Sequence, residues 1–386
     1  MNQSVIVVGG GIVGTSTAYY LAKMGVHVTL LEAEDIASGT SGACDRAIML
    51  QSKTPGPMLE LALESAGMYA GLEAELEADL EYRQGGGMIL IETAEEMEAI
   101  KALVGRQRQA GLDVALLSAE ETRERQAGLS EHVLGSTWWA RDAEVNPLNV
   151  CFGMAKSARR LGALIRLGMR ATGLISQQGR IVGVEIGQER VYADAVVVAL
   201  GVWTPELLRT IGADVPITPR RGQILVSERV PAFVHSNVLS GAYIAAKHAK
   251  SSEGDKPADP AGVGLSLGQT ASGSLLIGGS REFVGYDLRS TAEVIRAIGR
   301  SAVRLFPAMA GIRVVRAFAG LRPYTPDGMP IIGPVEEWPG LYVAAGHEGD
   351  GIALGPVTGR IMANLASGRD PGWDIGPFAL SRFAKH

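Results

Sequence analysis

The sequence predicts an α/β (α+β) fold, in which a Rossmann-like nucleotide-binding domain is interleaved with a second, mixed-sheet domain. Three observations carry this expectation. Over 4–32 a strand, a glycine cluster, a small-residue helix and a second strand ending in an acid follow one another. Strand and glycine signals of the same kind return in the last fifth of the chain, and between 219 and 310 the pattern turns instead to alternating strands. The chain has 386 residues and 46% hydrophobic content, enough for a large core and too long for one simple domain. Its 50 glycines gather where strands turn into helices, which suits a nucleotide binder better than a disordered chain.

The first element justifies itself residue by residue. Gly9, Gly11 and Gly14 form G-x-G-x-x-G directly after the strand Ser4–Val8 and at the mouth of a helix over 12–24. The first glycine allows the tight turn, the second lets a pyrophosphate approach the backbone, and the third lets helix and strand pack closely. Free N–H groups and the helix dipole favour an anion at that helix start, where Ile12 and Val13 stand. The second strand, His27–Leu31, ends at Glu32, where a carboxylate can bond ribose hydroxyls, with Ala33 beside it. An acid at position 32 disfavours a 2′-phosphate. The element therefore predicts an ADP moiety, of either NAD or FAD.

Further along, "ASGTSGACDRAIMLQS" is small, polar and too irregular for an element. A helix is predicted over 57–80 from apolar spacing near 3.6, then a strand over 85–93 and a charged surface helix from 94. "STWWARDAEVNP" leads into a helix over 147–161. A short strand over 163–167 precedes a hairpin whose turn is at 177–179. "YADAVVVALGVWTPELL" reads as a buried strand, a glycine and a helix starting near Pro205. The second domain contributes strands "RRGQILVSE", "AYIAAKH" and "GSLLIGGS" and a helix over 291–305, with a polar, turn-rich surface loop "HAKSSEGDKPADPAG" between them. Strand "VRAFAGLRP", then "DGMPIIG", strand "LYVAAG" and a helix over 351–365 return to nucleotide-domain character. The predicted division is 1–82, 145–218 and 314–386 for the nucleotide-binding domain, and 83–144 and 219–313 for the substrate domain.

Composition narrows the function classes. A net charge of -5 and a pI near 5.8 give no electrostatic reason to expect nucleic acid. No run approaches the roughly eighteen apolar residues of a membrane span, and no basic region precedes the broken apolar stretch at the start, so no secretory signal is expected. Two cysteines, Cys44 and Cys151, can build neither a disulfide framework nor a four-thiolate iron–sulfur site. The six histidines are scattered without ligand spacing, so no metal site is expected. These features point to a cytoplasmic protein.

Four stretches, "GGGIVGTSTAYYLAKMGVHVTLLE", "VVVALGVWTPEL", "FAGLRPYTPDGMPIIG" and "LYVAAGHEGDGIALGP", span almost the whole chain. Together they resemble the flavin-dependent D-amino-acid oxidase, glycine oxidase and sarcosine oxidase group. A fifth, "SGACDRAIMLQSKTPGPMLELALES", is similar to the β subunits of the opine, hydroxyproline and hydrogen-cyanide-forming dehydrogenases. The resemblance implies FAD, with its adenine half on the opening element and the loop holding Ser38, Thr40, Ser41, Gly42 and Ala43 near the pyrophosphate. It implies further cofactor contacts at Ala171 and Thr172, at Ala199, Gly201 and Trp203, and at Gly346, His347, Gly349, Gly351 and Ile352. The helix starting at Gly351 can turn its N–H groups toward the flavin, where reduction places negative charge. Some members of the group tether the flavin through a cysteine in the segment matching "GLRPYTPDG"; Arg322 stands there, so the FAD is expected to be non-covalent.

The implied reaction oxidises the C–N bond of an amino or imino acid, by hydride transfer to flavin N5, with water hydrolysing the imine. Arg322 is the implied fork for the substrate carboxylate, and Tyr243 lines the pocket opposite the flavin. Arg281 and Arg46 are weaker pocket candidates that could meet a second anionic group, such as that of an opine, or simply sit at the surface. Cys44 reads as a small buried residue rather than a nucleophile. Three function classes stay open. The first is an amino-acid or imino-acid dehydrogenase or oxidase. The second is a flavin-bearing β subunit for electron relay in a hetero-oligomer with iron–sulfur or FMN-bearing subunits. The third is an NAD-linked dehydrogenase, which explains only the first 34 residues. A homo-oligomer is equally compatible, and the electron acceptor is oxygen, a quinone or a partner subunit.

Overall fold

The computed structural model describes residues 3–248 and 262–384. A six-stranded sheet runs in the order Ile331–Pro334, Leu341–Ala345, Ala195–Val198, Ser4–Val8, His27–Leu31, Leu164–Arg166. Its strands are parallel except Ile331–Pro334, which pairs antiparallel with Leu341–Ala345. Ser4–Val8 lies inside the sheet, and its apolar run is explained by burial on both faces. Alternate side chains serve different cores: Val5 and Val7 join one cluster, Ile6 and Val8 the other.

The helix Ile12–Lys23 is buried along almost its whole length, from Ile12 to Ala22. Its small residues explain how it can be so enclosed. It packs against Pro147–Arg160 and, most closely, against the last long helix, Gly351–Ala366. A Cβ at Gly359 would stand 2.6 Å from the Ser16 carbonyl carbon, and one at Gly355 would collide with Ile12. Glycine there is a condition of contact, and the contact brings the N-termini of both helices to the same edge of the sheet.

An eight-stranded mixed sheet runs Val314–Tyr324, Thr218–Arg229, Ser274–Gly278, Ser266–Gln269, Asn237–Ser240, Gly87–Ile91, Gly135–Trp139, Ala115–Ser118. Only Asn237–Ser240 and Gly87–Ile91 pair in parallel. The amphipathic helix Ala292–Leu305 covers one face, burying Val294, Ile298, Ala302 and Leu305 over Leu225, Leu275 and Ile277. Among the described residues no helix is long and apolar enough to cross a membrane.

The structure corrects the sequence reading in several places. Val314–Tyr324, assigned to the nucleotide-binding part, is hydrogen-bonded along Thr218–Arg229 in the large sheet; its apolar content fits either sheet, and only long-range pairing decides. "GAYIAAKH" is a helix, Gly241–His248, and not a strand. Its alanines favour helix, and the Ser240 hydroxyl accepts the Tyr243 N–H at 3.1 Å, holding the first turn. The helix predicted to 80 stops at Leu76, where Glu77 takes a left-handed conformation, φ 53°. The strand Ala115–Ser118 and helix Ala119–Arg125, closed by a Ser118/Glu121 capping box, were not anticipated, nor was Ser266–Gln269. The greater part of the polar loop, 249–261, lies outside the described residues.

The helix contact yields a test. Gly359→Leu overpacks the junction with Ser16 and should cost about 1–3 kcal/mol or more, lowering the thermal midpoint and loosening cofactor retention together. Gly67→Ala, on the exposed face of Pro57–Leu76 with no atom within 4 Å of the new methyl, should leave or raise the midpoint. Equal midpoints for wild type and Gly359→Leu in thermal circular dichroism would refute this account of the junction.

Candidate functional site

The parallel strands end at a long cleft. After Ser4–Val8 the chain turns at Gly9, whose φ of 113° is left-handed and whose N–H donates to Leu31 O at 2.8 Å. A Cβ there would lie 2.5 Å from Ala199 O, so only glycine lets the turn sit against the neighbouring strand end. Gly11 caps the first helix with no side-chain bond, and Ile12 N donates to Ser41 Oγ at 3.0 Å. The Glu32 carboxylate accepts from Gly10 N at 2.6 Å and Glu34 N at 2.8 Å, which orients it at the lip of the cleft.

The cleft encloses about 470 Å³. Gly9, Gly11, Ile12, Val13, Glu32, Ala33, Ser38, Thr40, Ser41, Ala43, Ala171, Thr172, Ala199, Gly201, Trp203, His347 and Gly351 all line it. Gly14, Gly42 and Gly346 do not; they stand behind its wall. Side chains there would run into Gly9 O, Ala37 O and Thr325, so these glycines shape the wall rather than touch its contents. Gly349 and Ile352 line a smaller cavity of about 70 Å³ that also holds Tyr243 and Arg322. The two spaces share Ile12, Thr40, Ser41, Ala43, Glu348 and Gly351 and form one continuous site.

This cleft fits FAD on three counts. Glycines open the backbone where an ADP pyrophosphate would pass, Glu32 is set where a ribose would lie, and a second uncapped helix N-terminus points in. That second helix, Gly351–Ala366, has no side-chain cap from Asp350. Its first N–H groups are thus available to an electron-rich group, with the helix dipole behind them. His347 is held by burial and by Thr358, whose Oγ1 lies 3.1 Å from Nε2. Burial pushes its pKa down to about 4, against a partial pull upward from Asp350. Cys44 donates its thiol to Ser41 O at 3.2 Å, and burial pushes its pKa well up, which leaves no thiolate at neutral pH. Among the described residues no group of acids, cysteines and histidines could hold a metal ion.

Charged side chains stand in the otherwise largely apolar wall of the small cavity. Arg322 lies over Gly222, where a Cβ would come 2.5 Å from its Cζ, and its Nη1 donates to Ser280 O at 2.8 Å. Directly across the ladder from Arg322 is Arg220. Between them sits the buried Glu348 carboxylate, hydrogen-bonded to Arg220 Nε at 3.1 Å and 3.9 Å from Arg322 Nε. Asp45 also lines the cavity, with its Oδ2 accepting from Ser266 Oγ at 2.8 Å. Tyr243 reaches the pocket from a helix. Arg46 does not reach it, because its guanidinium is drawn away to Glu81 at 2.7 Å. Arg281 is buried beside the cavity, over the Tyr243 ring.

Arg220, Gly222, Asp45 and Glu348 escaped the sequence reading. "RRGQ" and "GLRP" give no hint alone that their arginines face one another, since that is a matter of register across more than a hundred residues. Glu348 lay inside a motif already singled out for its glycines, and two arginines in search of an anion were the missing signal.

His347 supplies a pH test. Its folded pKa lies below the ordinary value of 6.5, so the unfolded chain takes up the proton first as pH falls. Stability that is complete above pH 6.5 is therefore lost between there and about pH 4, by about 2 kcal/mol from pH 7 to pH 5. Urea unfolding at both pH values should show His347→Gln losing less by that amount. Equal losses in variant and wild type would count against it.

Comparison with known proteins agrees with this geometry. The model of the DAO family, FAD dependent oxidoreductase, matches residues 4–365. Glycine oxidase of Pseudomonas putida is 28% identical over 386 residues, covering 98% of this chain and 98% of that protein. Hydrogen cyanide synthase subunit HcnC of Pseudomonas protegens is 27% identical over 426 residues, covering 99% and 97%. The bifunctional protein ThiO/ThiG of Nostoc sp. is 28% identical over 375 residues, and this chain spans 53% of its length. The crystal structure of glycine oxidase from Geobacillus kaustophilus superposes with a TM-score of 0.89 at 26% identity, covering 100% of each chain. The uncapped helix ends, the glycine-lined cleft and the match over nearly the whole sequence lead to one conclusion: the chain belongs to the DAO family of FAD dependent oxidoreductases.

Proposed function

We propose that the protein oxidises the C–N bond of an amino or imino acid of the proline, hydroxyproline, glycine, sarcosine or opine type. The observation that carries this reading is the pairing of charges in the small cavity. Arg322 offers a guanidinium, Asp45 and Glu348 offer carboxylates, and all three line a space that opens on the cofactor cleft. That is the complement of a zwitterion. The names glycine oxidase and HcnC among its relatives support the same class.

Bound FAD supplies the two-electron acceptor. The protein's own residues orient and stabilise. The Arg322 fork takes the substrate carboxylate and so fixes which hydrogen of the α-carbon faces the cleft. Asp45 attracts the amine. The substrate gives up that hydrogen with two electrons, its nitrogen releases a proton, and water hydrolyses the imine. The start of Gly351–Ala366 favours the negative charge that arrives in the cleft. The FAD is held without a covalent bond: Arg322 occupies the tethering position, and the half-buried Cys44 thiol is bonded to Ser41 O. Acid precipitation should release all the yellow colour into the supernatant, and colour in the pellet would contradict this.

A second reading makes the chain a flavin-bearing β subunit acting mainly in electron relay. Likeness to a protein named as a subunit favours it, as do Phe283, Val284, Tyr286 and Leu288, large apolar side chains exposed along one loop. One experiment addresses both readings. The purified chain alone should be bleached anaerobically by an amino or imino acid and poorly by the matching amine without the carboxylate. Arg322→Ala should weaken this by about 30- to 5000-fold, the equivalent of about 2–5 kcal/mol, and lose the preference for the acid. Arg322→Lys should recover part, since an ammonium is not a planar fork. Undiminished discrimination in Arg322→Ala would place the carboxylate elsewhere. A yellow chain that no such substrate bleaches until partner chains are added would favour the β subunit.

A further inference from the structure

One charged group near this site has two nitrogens without a hydrogen-bond partner among the described residues. Arg281 follows the strand Ser274–Gly278 and is 7% exposed. It is the next residue after Ser280, whose carbonyl holds Arg322. Its guanidinium lies 4.0 Å from the centroid of the Tyr243 ring, and Tyr243 lines the small cavity together with Arg322. Among the described residues neither Nε nor Nη1 of Arg281 has a hydrogen-bond partner.

Among the described residues the acids nearest Arg281 are bonded to other groups. Glu282 is taken by Arg221 on both oxygens and by Gln223, Glu348 by Arg220, and Asp45 by Ser266. The aromatic ring offsets part of the charge of Arg281 but accepts none of its N–H donors in the plane of the fork. A buried, hydrogen-bond-hungry guanidinium is costly to leave unmatched, so such groups are found paired with an anion. The local excess of positive charge is felt at Arg220. There burial, together with Arg281 and Arg322, draws the pKa below its ordinary value despite Glu348.

We propose that Arg281 forms a second carboxylate subsite beside that of Arg322, so that the substrate is a dicarboxylic amino or imino acid. This rests on the reading that Arg322 holds the carboxylate next to the reacting carbon. A dicarboxylate gives each fork a planar, two-oxygen partner of matching geometry. A monocarboxylic substrate of equal length leaves Arg281 desolvated and unpaired, and that penalty, more than any gained contact, discriminates against it. The ring of Tyr243 packs under the Arg281 fork and keeps it level, so Tyr243 acts here as a positioning residue.

Binding of unreactive anions reads this without turnover. The flavin absorbance of the holoenzyme should be perturbed by succinate or glutarate at concentrations at least about tenfold lower than by butyrate. Arg281→Met should bring that ratio close to one, chiefly by tightening butyrate as the unpaired guanidinium is removed, while flavin content stays as in wild type. Arg281→Lys, which keeps the charge but not the fork, should fall between them and carries the test should the methionine variant fold poorly. Anaerobic bleaching should follow the same order, iminodiacetate ahead of sarcosine in wild type and not in Arg281→Met. Equal affinity of wild type for both anions, or an undiminished ratio in Arg281→Met, overturns the second subsite alone. No response of the wild-type flavin to either anion overturns the Arg322 reading with it.

Discussion

The site depends on one buried carboxylate between two guanidiniums. Register places Arg220 and Arg322 opposite each other on an antiparallel ladder, where like charges repel at close range. Glu348 enters from the turn between the strand Leu341–Ala345 and the helix Gly351–Ala366, and so from the other sheet. Its N–H donates to Pro323 O at 3.1 Å, and its φ of 48° is left-handed, an uncommon conformation for a residue with a Cβ. The arginines over-determine that conformation and so compensate for it. Removing Glu348 would leave two desolvated cations face to face, which is why the pair is best understood as a constraint on geometry and not as a gain in stability. It locks Arg322 of the large sheet to the helix start of the small one.

Around that lock, glycine decides distance. Gly222 lets the Arg322 guanidinium lie flat on the strand beside it, and Gly355 and Gly359 let the first and last long helices touch. Because the helices touch, their two uncapped N-termini converge on one cleft. The large cleft and the small cavity are continuous for the same reason, sharing the residues around Ile12, Ser41 and Glu348. Arginine charge is concentrated at the small cavity and helix-dipole charge along the large cleft.

Much of the cofactor half could be read directly from the chain. Gly9, Gly11, Gly14 and Glu32 belong to a local unit of strand, turn, helix and strand, and each role follows from neighbours within about thirty residues. Tyr243 lines the pocket from a helix and not from a strand, because a short apolar pattern suits a strand and an alanine-rich helix alike. Arg46 and Arg281 looked equivalent in the sequence, as two arginines in small-residue contexts. The fold gives the first to Glu81 and, among the described residues, leaves Nε and Nη1 of the second without a hydrogen-bond partner.

The sequence by itself determined the nucleotide element, the mixed α/β class and the residues of the pyrophosphate turn, because these rest on short-range backbone geometry and on a periodicity that survives without partners. Only the tertiary structure decided that Val314–Tyr324 joins the large sheet, that Arg220 faces Arg322, and that Glu348 closes between them. Those facts are choices of register and charge pairing between segments up to about a hundred residues apart or more. Nothing local distinguishes the arginine that finds an acid, Arg46, from the one whose Nε and Nη1 find no hydrogen-bond partner among the described residues, Arg281.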